Sequence, residues 1–194
     1  MPEILRDGKG RGYLAAVNSD NQLITRATAV EQRLASTADG NYYEATTGQI
    51  TLTNAVETGI IYLKNNSTQG LHIIIDRVFF DFWTSTGGSG VDGTLKYYRN
   101  PTVTGGTAIN PNNTYFDNSP DADVTASRSL TTMTGTVWWT AYITDKSSIA
   151  LEEGRIVIPR GRSFGISIAA PTGNTSMIVS VNIAYYYFDA QLIE

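Results

Sequence analysis

Residues 177–188 read MIVSVNIAYYYF. Met177, Val179, Val181, Ile183, Tyr185 and Tyr187 fall on one side of an extended chain, and Ile178, Ser180, Asn182, Ala184, Tyr186 and Phe188 on the other. Alternation at a period of two marks a half-buried strand and not a helix. The second side starts polar and ends aromatic. Tyr186 and Phe188 therefore read as candidates for an oligomer interface, with cover by a loop of the same chain as the competing reading.

Outward from this strand the same logic recurs. LHIIIDRVFFDFW at 71–83 is long and rich in β-branched and aromatic residues, as a central strand is, with a bend expected near Asp76 and Arg77. Further strands are read at 59–65, 94–100, 136–143 and 163–169, with another at 155–161 ended by Pro159. Residues 42–53 read as two strands around Thr47 and Gly48. The stretch 100–123, with two Asn-Pro pairs and one Ser-Pro, reads as a long loop between two strand-rich blocks. No segment sustains a 3.6-residue apolar period, and the one short helical candidate is ATAVEQRLAS at 27–36. About eight strands without crossover helices predict an all-β fold: a two-sheet antiparallel sandwich, jelly-roll-like, spanning 41–194. Residues 1–40 form little core in this reading and are expected to be an extended N-terminal arm.

Composition agrees. The chain has 194 residues, enough for one domain with a sizeable core. It is 41% hydrophobic and only 16% charged. Soluble domains average about 25% charged, so part of this surface is expected to face another protein. The 11 Tyr, 6 Phe and 3 Trp suit strands, and the 18 Gly suit turns. With no cysteine, disulfides and thiolate metal sites are excluded, which favours assembly inside a cell. A net charge of −4 offers no general attraction to nucleic acid or an anionic membrane. MPEILRDGKG lacks the apolar core of a secretory leader, and no apolar run approaches the ~20 residues of a membrane span.

Few residues suggest chemistry. GKGRG at 8–12 lacks the Lys-Ser/Thr ending and following helix of a phosphate loop, and reads as a basic arm. His72, the sole histidine, sits in a strand with no nucleophile-elbow motif elsewhere, so neither a serine triad nor zinc is expected. Glu152 and Glu153 read as a turn before Gly154. Asp117, Asp121 and Asp123 form an acidic loop without the EF-hand glycine and terminal glutamate; it reads as solvated, with oxygen donation to Ca²⁺ as the competing reading. Catalytic, metal and cofactor residues are accordingly none. Trp138-Trp139, Tyr97-Tyr98 and Tyr185–Tyr187 raise carbohydrate binding. Neighbours in a strand point to opposite faces, so one of each pair is expected in the core and the other exposed.

The phrases GYLAAVNSDNQLITRA, AVEQRLASTADGNYYEATTGQITLT and IIYLKNNS, with the closing IVIPRGRSFGISIAAPTGNTSMIVSVNIAYYY, resemble small virion structural proteins of tailed bacteriophages. The resemblance covers most of the chain, weakest across 100–135. It implies a β-sandwich virion component that is oligomeric, as a homotrimer. The function expected on that basis is a non-enzymatic capsid decoration, or cement, protein. It would be assembled in the bacterial host cytoplasm and sit on the capsid surface, with the major capsid protein and itself as partners and no cofactor, nucleic acid or membrane. An arm of 1–40 would then reach neighbouring subunits, through strand addition for instance, with Leu14, Val17, Leu23 and Ile24 as apolar anchors and Arg11 and Arg26 against acidic partners. A β-hairpin, YLAAV–NSDN–QLITR, packed on its own domain is the competing reading. A tail, baseplate or head-fibre part touching host glycan is the alternative function.

Overall fold

A computed structural model of the chain describes residues 16–17, 23–24, 36–53, 56–84, 93–116, 119–143, 149–170 and 177–188. Contacts divide the chain into two units, residues 1–31 and 32–194. In the first, strands β1 (Ala16–Val17) and β2 (Leu23–Ile24) pair antiparallel, Ala16 opposite Ile24 and Val17 opposite Leu23. In the second, Ser36–Ala38 are helical; of the helical candidate 27–36, only Ser36 lies within the described residues.

Among the described residues, twelve further strands build the second unit: β3 (Tyr42–Thr46), β4 (Ile50–Leu52), β5 (Glu57–Asn65), β6 (His72–Thr84), β7 (Gly93–Thr104), β8 (Thr107–Ile109), β9 (Asn112–Asn113), β10 (Val124–Leu130), β11 (Thr132–Ile143), β12 (Ile149–Ile158), β13 (Ser163–Ala169) and β14 (Met177–Phe188). One sheet runs β12-β6-β14-β3-β9, with β4 also paired to β14; the other runs β11-β7-β13-β5-β10-β8. All pairings are antiparallel. The chain changes sheet between β4 and β5, β5 and β6, β6 and β7, β8 and β9, β9 and β10, β11 and β12, β12 and β13, and β13 and β14. The late strand β14 inserts between β6 and β3, and β13 between β7 and β5. This is the connectivity of a jelly roll, two antiparallel sheets face to face.

The alternation in MIVSVNIAYYYF is realised: Met177, Val179, Val181, Ile183 and Tyr185 are buried, in one cluster with Ile61, Leu63, Leu95, Phe164, Ile166 and Ile168 of the opposite sheet. Ala184 is buried too; it lies in register between Glu44 of β3 and Arg77 of β6, which form an ion pair at 3.1 Å, and the pairing with β6 slips just after it, between Ala184 and Tyr185. That slip falls opposite Asp76, which β12 also skips on its side. The bend expected at Asp76–Arg77 is thus a bulge in β6. Thr47 and Gly48 turn β3 into β4 as expected, Gly48 with a φ of 60° and Thr47 pinned to Val181 by two hydrogen bonds of 2.9 Å.

Two expectations fail. Residues 100–123 are not one long loop: β7 continues through Pro101 to Thr104, and β8 and β9 follow. The Asn-Pro pair read as a breaker is a kink. Asn100 adopts a φ of 49°, and opposite it Gly135 has a φ of 149°. Proline is tolerated at such an irregularity because the ladder is interrupted there anyway. Beyond the kink, residues 101–106 and 129–135 form a ribbon that covers the outer face of the second sheet, where Tyr98, Leu130 and Met133 make a small second core with Tyr62 and Val103. Gly165 makes room for it: a Cβ there would lie 2.8 Å from Met133 Sδ and 3.0 Å from Pro101 Cγ. The second failure is Glu152-Glu153, read as a turn. They lie inside β12, at an irregularity between Glu152 and Ile156.

Candidate functional site: an arginine- and tryptophan-lined cleft

A cleft of about 760 Å³ opens where the two sheets part, at their edge strands β11 and β12. Tyr98, Arg99 and Asn100 of β7, Gly135, Thr136 and Trp138 of β11, and Arg162 to Phe164 at the start of β13 line one side. Ile156–Pro159 of β12 line the other. The kink at Asn100 and Gly135 shapes it. Arg99 pairs in register with Phe164, so it prolongs the inward row Leu95–Tyr97 past the end of the core, where its guanidinium is exposed. Arg162 precedes Phe164 and is likewise exposed.

Hydrogen bonds hold the two arginines in place. Asn100 Oδ1 accepts the Ser163 N–H at 2.9 Å, joining the strands that carry them. Asn65, fully buried, clamps the turn 159–162. Its Nδ2 donates to Ile158 O at 2.9 Å, its N–H to Arg162 O at 3.0 Å, and its carbonyl accepts from Gly161 N–H at 2.8 Å. Among the described residues, neither guanidinium has a carboxylate partner and no Asp or Glu lines the cleft.

Trp138 reaches the cleft because β11 bulges. Register slips between Val137, opposite Tyr98, and Trp139, opposite Tyr97. Trp138 and Trp139 therefore do not simply alternate: both rings approach Tyr97, with centroids 5.9 and 4.7 Å away, while Trp138 stays 48% exposed. Tyr97 and Tyr98 break the expected alternation differently. Both are buried, Tyr97 in the main core and Tyr98 under the ribbon. Burial pushes the Tyr97 phenol well above its usual range, and its hydroxyl has no partner among the described residues.

Two of the carboxylates engaged within the fold have shifted titration. Asp121, 8% exposed, accepts Tyr185 OH at 2.7 Å and Tyr187 OH at 2.8 Å, and its Oδ1 accepts the Asp123 N–H at 2.8 Å. Burial raises its carboxyl above the usual range despite those bonds. Asp121 is thus not the solvated loop residue that the acidic spacing suggested; Asp117 lies outside the described residues. On the outer face of the second sheet, Glu57 accepts Lys96 Nζ and Ser167 Oγ at 2.6 Å each and Tyr98 OH at 2.5 Å. Burial acts to raise it, but the bonds from Lys96, Ser167 and Tyr98 outweigh that and hold Glu57 below the usual range.

The arm residues separate. Arg11, Leu14 and Arg26 lie outside the described residues, while Val17, Leu23 and Ile24 belong to the β1–β2 hairpin. Tyr186 and Phe188 are half-buried on the lesser face of β14. Tyr186 stacks on Tyr42, centroids 6.4 Å apart, and Phe188 pairs with His72. Arg99, Asn100, Asn65 and Arg162 were missed by sequence reasoning. Arg99 and Arg162 are 63 positions apart and meet only through the β7–β13 pairing, although YYRN and PRGR each place Arg beside a turn residue. No protein-family model matches the chain, and no curated protein shows significant similarity to it. No helix among the described residues is long and apolar enough to cross a membrane.

Proposed function

We propose that this chain is a non-enzymatic structural protein of a tailed-phage virion: a capsid decoration, or cement, protein that binds and stabilises the capsid lattice as a homotrimer. The observation that carries the reading is the division of the chain into a β-sandwich and a separate N-terminal unit of residues 1–31 that holds its own hairpin. A sandwich with a separate attachment segment suits a fastener, since several modest contacts per oligomer act together. The low charge, 16% of residues, and the resemblance in the N-terminal and closing phrases support it as well. In this reading the partners are the major capsid protein and further copies of the chain. Neither nucleic acid, membrane nor cofactor takes part.

Deletion of residues 1–31 tests it. The deletion spares Ser36, which is buried, and Gly40, whose carbonyl accepts Asn113 Nδ2 at 2.6 Å. The truncated protein is expected to melt cooperatively and to lose binding to expanded capsids in a co-sedimentation assay. Undiminished binding overturns the proposal.

A second reading, a tail, baseplate or head-fibre component that touches host glycan, is favoured by one feature: the half-exposed Trp138 indole at the mouth of the cleft. Glycan-array binding that disappears in a folded Trp138→Ala variant supports it, and retained binding refutes it.

A further inference from the structure

We propose that the cleft between β11 and β12 is a binding site for a carboxylated saccharide, with Trp138 as the stacking platform and Arg99 and Arg162 as carboxylate ligands. The inference rests on the host-glycan reading and adds to it the charge of the sugar and the residues that select it. Four observations converge. The volume, about 760 Å³, is that of a small-ligand site. Trp138 presents an indole 48% exposed, large enough to cover the C–H face of a pyranose ring. Two guanidinium groups without carboxylate partners among the described residues stand in the same cleft, on a chain whose net charge is −4. A local basic site on an acidic protein complements a small anion, whereas the overall charge opposes a long polyanion such as nucleic acid. Finally, both arginines sit on backbone fixed in advance by Asn100 and Asn65, so little loop ordering is lost on binding. Guanidinium matches a carboxylate in a two-pronged bond, and the Asn100, Thr136 and Ser163 side chains along the wall suit sugar hydroxyls.

The test uses the full chain and isothermal titration with three carboxylated probes: trigalacturonate, a hyaluronan hexasaccharide and a trimer of α2,8-linked sialic acid. Each is paired with its methyl ester, which keeps the sugar and removes the charge; triglutamate keeps the charge and removes the sugar. At least one carboxylated probe is expected to bind, with its ester and triglutamate each about tenfold weaker or more, one charge-assisted bond being worth roughly that. Arg99→Gln and Arg162→Gln are each expected to weaken that binding about tenfold, and Trp138→Ala by at least as much. These side chains are exposed, and Trp138→Phe, which keeps a smaller ring in place, is expected to fall between wild type and Trp138→Ala. If ester and acid bind alike, the charge selection is overturned while the glycan reading stands. If triglutamate binds as well as the sugars, the site is one for anions and the proposal fails. No binding by any probe at about 10 mM, or binding unmoved by all three substitutions, overturns both the proposal and the glycan reading of this cleft. Binding by the chain lacking residues 1–31 separates this result from that of the capsid assay.

Discussion

The polar groups around Asp121 and those lining the cleft belong to one sandwich and have opposite relations to it. Asp121 accepts two tyrosine hydroxyls and a backbone N–H from its own chain, the Tyr185 bond buried and the others partly so. Arg99 and Arg162 project from the end of the core with no carboxylate partner among the described residues. A buried polar group left unpaired is costly, so a network like that of Asp121 persists only when its partners are complete, and it ties Asp121 to β14. Exposed guanidinium groups carry no such demand. The difference teaches where to look for each kind of effect: substitutions around Asp121 should act on stability, and those in the cleft on binding.

The largest expected effect is that of Asp121→Ala. It strands the buried Tyr185 hydroxyl and the partly buried one of Tyr187 and should cost about 2–4 kcal/mol in urea denaturation; a loss under about 0.5 kcal/mol would erase the contrast. Two tyrosine-to-phenylalanine changes sharpen it. Tyr185→Phe deletes a paired hydroxyl and should destabilise by about 1–2 kcal/mol. Tyr97→Phe deletes an unpaired buried one and should raise stability by about 1 kcal/mol. Equal signs for the two would refute the assignment of partners.

The two carboxylates also predict opposite pH slopes. The folded value of Asp121 is raised, so its stabilising term is full below the unfolded value, near 3.8, and is lost as pH rises through the folded one. For Glu57 the folded value is depressed; its term is full above the unfolded value, near 4.5, and is lost as pH falls through the folded one. Between about pH 3 and 7, the melting temperature of wild type relative to Asp121→Asn should therefore fall as pH rises, and that relative to Glu57→Gln should rise. Parallel trends would show that one of the networks is wrongly drawn. With its side chain 33% exposed, Glu57 should give the shallower slope, because water screens its pairing with Lys96. The smallest effect belongs to the cleft: Arg99→Gln should change stability by less than about 0.5 kcal/mol.

Legibility followed locality. The strand at 163–169 was readable to the residue, and that at 177–188 equally so, because large apolar residues recur at every second position along each. The segment 100–123 was not, since the Asn-Pro pair that reads as the start of a loop is also the mark of a kinked ribbon. What separates the two is whether an outer sheet face lies ready beneath, as the gap at Gly165 provides. Trp138 was a visible candidate, but its bulge was not: whether Trp138 and Trp139 alternate depends on how β11 slips against β7.

From the residues alone came the all-β class, the two-sheet sandwich, most of the long strands and the bend at Asp76, all properties of side-chain periodicity along a short run of chain. Only the folded arrangement decided which strands are neighbours, and with that the second core under the ribbon, the tyrosine cover of Asp121 and the meeting of Arg99 with Arg162. Each of these joins residues far apart in the chain, and such pairing is selected by the burial of whole faces together, which no single stretch of sequence encodes.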